Sequence, residues 1–149
     1  MSSAQTFSQH DYDSDDAWGK SIVAKHIKAL GLEVITPKDK YAIDMAARKR
    51  ETNKIVRYEV EVKHGYPWTH RGDFPFPTVS FLARKAKYST TEFWYCIVCK
   101  ETQALIVAHS SVIFKPEHKV VKHVNKRTRQ GSDTFYEVSI DQCRFVKAL

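Results

Sequence analysis

From Val56 to Lys63 apolar and charged side chains alternate without a break, in the run VRYEVEVK. Strict period two is the pattern of a β-strand with one face toward a core and one face carrying polar groups. Val56, Tyr58, Val60 and Val62 fall on the first face, and Arg57, Glu59, Glu61 and Lys63 on the second. A half-solvated strand is the commonest reason for such a pattern. On this strand two acids, Glu59 and Glu61, and a base, Lys63, stand in a row on one face.

The preceding segment, YAIDMAARK, reads as a second strand joined to the first around ETN. A two-residue loop at Thr52-Asn53 brings Asp44 opposite Glu61, and a loop at Asn53-Lys54 brings it opposite Lys63. Either register puts Asp44 on the face of Glu59, Glu61 and Lys63, with the small residues Ala42 and Ala46 beside it. Two carboxylates that converge repel each other unless a proton or cation lies between them. Mg²⁺ suits such a pair, because it takes one or two protein carboxylates, keeps several waters and bridges to phosphate oxygens. A metal so held activates water and steadies a phosphoryl group under attack. Lys63 is then placed to orient the attacking water or to stabilise developing negative charge.

Upstream, DSDDAWGKSIVAKHIKALG has Trp18, Ile22, Val23, Ile27 and Leu30 at helical spacing, with Asp13 or Ser14 as the cap and Gly31 as the stop. Asp15 and Asp16 sit at its start in register with that stripe, as dipole partners or as a third acid for the site. LEVIT and TVSF read as short strands, LARKAKYS as a short helix, EFWYCIVCK and ALIVAHS as a hairpin across ETQ, and TFYEVSI as a late edge strand. Residues 1–12 are expected to be mobile, and residues 13–149 to form one domain. The order of elements argues for an α/β or α+β fold with helices against a sheet.

The net charge is +7, yet Asp11, Asp13, Asp15 and Asp16 lie in a stretch without Lys or Arg, so residues 17–149 carry +11. That surplus favours a polyanionic partner such as nucleic acid. Cys96 and Cys99 sit in one apolar run where residues three apart point to opposite faces, so they and Cys143 are expected as buried thiols rather than zinc ligands. His64, His70, His118 and His123 form no convincing metal set. No apolar run is long enough for a membrane span and no secretory leader is visible, so an intracellular protein is expected.

Asp44 preceded by Ile43, then EVEVK at 59–63, resembles the metal-binding core of the PD-(D/E)XK nuclease superfamily, with its restriction-endonuclease-like fold. The family's usual proline before the first Asp is replaced here by Ile43. The resemblance covers about residues 14–109 and implies a mixed central sheet flanked by helices, in the order αβββαβ, here with additional C-terminal strands. It implies Asp44 and Glu61 as metal ligands, the Val62 carbonyl as a third, and Lys63 as the active-site lysine. Glu59, Asp15, Asp16 and Lys85 become accessory candidates, and Arg84 and Lys87 basic residues serving the site. The activity implied is Mg²⁺-dependent cleavage of DNA, with Mn²⁺ as a substitute metal and RNA as a further substrate class. The implied form is a small phage-type or junction-resolvase-like endonuclease, expected in the cytoplasm, that of a virus-infected host cell included, with a homodimer among the expected assemblies.

Two further segments suit a nucleic-acid partner. The loop HGYPWTHRGDFPFP leaves the end of the Lys63 strand and carries aromatic rings with Trp68, His70 and Arg71 among its contact candidates. Between residues 115 and 130 six Lys or Arg face one Glu, with Lys126, Arg127 and Arg129 foremost. The alternative function is a non-catalytic nucleic-acid-binding protein on the same fold.

Overall fold

The computed structural model describes residues 9–35, 44–89, 91–123 and 132–149. It opens with helix α1 (Gln9–Ala29), which begins four residues before the expected cap at Asp13. Ile22, Val23 and Ile27 are buried along one side, whereas Leu30 lies beyond the helix and is exposed. Gly31, at φ 81°, ends the helix: its amide donates to Lys28 O at 2.9 Å and that of Leu32 to Ile27 O at 3.2 Å. This reversal needs a left-handed residue, which glycine adopts without steric cost.

Strands β1 (Glu33–Ile35), β2 (Met45–Arg48) and β3 (Ile55–Lys63) follow as an antiparallel set. β5 (Trp94–Cys99) lies parallel to β3, and β6 (Leu105–His109) and β9 (Arg144–Val146) complete a mixed six-stranded sheet in the order β1-β2-β3-β5-β6-β9. A second sheet has the order β4-β8-β7, from β4 (Thr78–Leu82), β7 (Lys119–His123) and β8 (Ser132–Ser139). The fold is α+β.

The main sheet is buried on both faces. α1 packs over Tyr58, Val60, Cys96 and Val98 on one side. Phe81 and Val79 of β4 and Val138 of β8 pack with Tyr95, Ile97 and Cys99 on the other. Cys96 and Cys99 therefore face opposite cores, and all three thiols are free and buried. β5 is closed in from both sides, which is why its sequence is a continuous apolar run rather than an alternation.

Several expectations need correction. The layer opposite α1 is the three-stranded sheet and not a helix, and LARKAKY forms only a 3₁₀ segment over Ala83–Tyr88. β8 lies at the centre of its sheet, between β4 and β7, and not at an edge. β7 rises from within the basic segment, where a strand had no clear signature beside its lysines. Among the described residues no helix is long and apolar enough to cross a membrane.

Candidate active site

The hairpin of β2 and β3 sets the site. Met45 pairs with Tyr58 and Arg48 with Ile55, and Lys49 N donates to Lys54 O at 2.9 Å. The turn thus spans residues 50–53 and closes on Asn53 at φ 58°, a left-handed conformation that asparagine tolerates. Extending this register by one pair brings Asp44 opposite Glu59. Both expected registers, opposite Glu61 and opposite Lys63, are overturned because the turn is centred between Glu51 and Thr52, one and two residues earlier than the two expected loops. The expected face is correct: an even shift in pairing preserves side-chain parity.

Asp44 and Glu59 bind each other's strands. The Asp44 amide donates to Glu59 Oε2 at 2.8 Å, and the Val60 amide donates to Asp44 Oδ2 at 2.9 Å. Lys85, carried in from the 3₁₀ segment after β4, donates to Glu59 Oε1 at 2.8 Å and to Asp44 Oδ2 at 3.2 Å. Glu59 is 2% exposed, and the Lys85 side chain 11%. Burial, together with the Asp44 charge, pushes the Glu59 carboxyl above its ordinary range although Lys85 opposes the shift. Burial works against the Lys85 ammonium, yet Asp44 and Glu59 outweigh it and raise its pKa. One cation serving two anions accounts for both directions.

Glu61 stands one step further along the same face. Its Oε1 accepts from Tyr95 Oη at 2.5 Å, and Tyr95 Oη in turn accepts from the Leu82 amide at 3.2 Å. Burial and the neighbouring Glu61 raise the Tyr95 pKa well above normal, so the phenol stays a donor. Lys63 Nζ donates to Ser80 O of β4 at 2.6 Å. The lysine hydrogen-bonded to Asp44 is therefore Lys85, while Lys63 turns toward the second sheet.

The acids of α1 have other partners. Asp15 meets His64 Nε2 at 2.6 Å and Lys100 Nζ at 3.1 Å; against the cost of partial burial, these two contacts lower its pKa. Asp16 pairs with Lys20 at 3.1 Å, and Lys20 Nζ lies 3.9 Å from Asp44 Oδ1. Lys20 thus links the helix to the site. The one sequence signal for it is its i,i+4 spacing from Asp16.

Asp44 Oδ1 and Glu61 Oε2 accept no hydrogen bond from a described residue, whereas both Glu59 oxygens are occupied. Mg²⁺ needs only one or two protein carboxylates, so this donor pair fits it. Asp44, just before β2, and Glu61 of β3 are diagonal neighbours on one face of the hairpin, the spacing at which long side chains reach one another. No group of three or more His, Cys, Asp or Glu side chains is gathered for a metal among the described residues.

The surface candidates separate. Trp68 is 5% exposed and packs edge-on against Phe74 and Phe145, so its ring belongs to the core. Arg71 is held by Asp141 at 3.1 Å and Cys143 O at 2.9 Å. His70 is exposed beside Thr69 and Asp73. Arg84 and Lys87 are exposed, with Lys87 Nζ 5.1 Å from the Tyr88 ring. Lys126, Arg127 and Arg129 lie outside the described residues.

A scan against protein-family models and a search of curated proteins find no match for this chain.

Proposed function

We propose that the protein is a metal-dependent nuclease with a restriction-endonuclease-like core, hydrolysing phosphodiester bonds in DNA. The observation that carries this reading is the pair of oxygens free of hydrogen bonds from described residues, Asp44 Oδ1, which has only the ion pair with Lys20 at 3.9 Å, and Glu61 Oε2, on one sheet face with Lys63 two residues beyond Glu61. The antiparallel β1-β2-β3 set with β5 parallel to β3 supports it, as does the charge of +11 beyond residue 16.

Asp44 and Glu61 are the residues that would hold Mg²⁺, each through one oxygen, with the Val62 carbonyl as a further donor. The chemistry the ion supplies when bound is activation of water and neutralisation of charge on the phosphoryl group. The Val60 amide and Lys85 fix the Asp44 carboxylate through Oδ2, and Glu59 holds the Asp44 amide. Tyr95, on the neighbouring strand β5, fixes Glu61 through its hydroxyl. Lys63 is the cation free to leave a backbone carbonyl for a phosphate oxygen, an exchange of a neutral acceptor for a charged one that favours the substrate.

The second reading, a nucleic-acid-binding protein without catalysis, is favoured by one observation: Lys85 already neutralises part of the Asp44–Glu59 pair. Cleavage of labelled linear, branched and single-stranded DNA in Mg²⁺ or Mn²⁺ separates the two. Wild type should cut at least one of these substrates and Lys63→Ala none. Wild type that shifts DNA without cutting it would leave only the second reading.

A further inference from the structure

Beside Lys63 a cavity of about 510 Å³ opens between the end of β3, the loop that follows it and the second sheet. This is within the size range of sites that enclose small organic ligands. Lys63 and Lys122 stand in its lining, with Tyr66 and Phe76 at its side. Tyr66 is 52% exposed and Phe76 44%, with ring centroids 5.1 Å apart and planes at 86°.

These rings are held in place. Phe76 packs on Phe74 at 5.8 Å, Phe74 on Trp68 at 5.7 Å, and Trp68 on Phe145 of β9 at 5.9 Å. A relay of edge-on aromatic contacts thus ties the cavity wall to the core. Gly65, at φ 108°, turns the chain off β3, and its amide donates to Glu101 Oε2 at 3.1 Å. Further along, the Asp73 carboxylate accepts from the amides of Thr69 and His70 and from Thr69 Oγ1. Glu137, the acid in the lining, is paired with Lys122.

Resting on the nucleic-acid reading above, we infer that this cavity receives one unpaired nucleobase, stacked against Tyr66 or Phe76, with its flanking phosphates at Lys63 and Lys122. Aromatic rings stack on any base with little regard for sequence. Drawing a base out of an intact pair costs more than for one already unpaired, so such a cavity selects strands with a bulge, mismatch or single-stranded gap. The substrate class is therefore DNA with an unpaired nucleotide beside the scissile phosphate.

The test is binding in EDTA, where no cutting occurs, to three duplexes carrying 2-aminopurine in a one-base bulge, in a single-stranded gap or fully paired. Wild type should bind the first two about tenfold more tightly than the paired one and alter their 2-aminopurine emission. Tyr66→Ala/Phe76→Ala should lose both effects while still binding paired DNA, and Tyr66→Phe/Phe76→Trp should keep them. Equal binding of all three duplexes by wild type, no binding at all, or a preference that survives the double alanine variant would overturn the inference. Cleavage of the same duplexes in Mg²⁺ is scored separately. Preference without cleavage leaves the cavity assigned and removes the nuclease reading, and cleavage without preference does the reverse.

Discussion

Lys85 Nζ lies 2.8 Å from Glu59 Oε1, though the two residues are 26 positions apart in the chain. The contact brings the turn after β4 down onto the charged face of β3, so the same ion pair that orders the site also joins the two sheets.

Removing Lys85 should therefore cost stability. Lys85→Ala leaves Glu59 without its hydrogen-bonded cation and Asp44 with only Lys20, 3.9 Å away, a loss of about 3 kcal/mol for a broken buried pair. Glu59 already has its pKa raised above 4.5 by burial. A carboxyl raised in the folded state binds protons more tightly folded than unfolded, so its charge destabilises the fold at neutral pH and protonation relieves this. The deficit of Lys85→Ala in urea unfolding should shrink as pH falls from about 7 to about 5. A deficit constant over that range would mean that Glu59 is not the group left unpaired.

Gly19 permits α1 to approach β3 closely. A Cβ there would stand 2.6 Å from Val62 Cγ2 and 3.3 Å from Val60 Cγ1. Alanine is the better helix former, yet overpacking of this kind costs about 1–3 kcal/mol, against about 1 kcal/mol gained in propensity. Gly19→Ala should lower the midpoint of thermal unfolding. Because the displaced valines flank Glu61 and Lys63, it should lower cleavage as well.

Tyr95 acts on the site by positioning Glu61. Tyr95→Phe removes the donor to Glu61 and the acceptor of the Leu82 amide, at a cost of about 2 kcal/mol for a hydrogen bond to a charged group and a stranded amide. The functional mark should be a several-fold rise in the Mg²⁺ concentration giving half-maximal cleavage, with a smaller change in the rate at saturating metal. A variant with altered stability and unchanged metal dependence would confine Tyr95 to the core.

Lys63 and Lys85 should part company when each is replaced. Lys63 is only half buried and bonds one neutral carbonyl, so Lys63→Ala should keep its unfolding free energy within about 1 kcal/mol of wild type. It should nonetheless abolish cleavage. Lys85→Ala should show the opposite balance, with lost stability at neutral pH and residual cutting. Unfolding curves and cleavage assays on the two purified variants decide it.

Side-chain parity was legible in the sequence and register was not. Alternation in VRYEVEVK determined which residues share a face with Asp44, because parity survives any even shift. Whether Glu59 or Glu61 lies opposite depended on the turn being centred between Glu51 and Thr52 rather than one residue later, and no glycine marked that centre. For the same reason Glu59, which had no assigned partner, proved to be Asp44's nearest acid. The second sheet was hidden for another cause. β7 mixes valines with lysines and a histidine, its neighbours are basic, and it becomes a strand only by pairing with β8. Tyr95 escaped notice because its hydroxyl lies inside an apolar run whose facing residues were known only once β3 and β5 were aligned in parallel.

In a metal-dependent nuclease of this design, Asp44 and Glu61 share one metal ion. Crystals soaked in Mn²⁺ and measured at its absorption edge report this directly. The expected result is one anomalous peak between Asp44 Oδ1 and Glu61 Oε2 in wild type, absent from Asp44→Asn. Full soaking with no peak there, or a peak at another site alone, would contradict it.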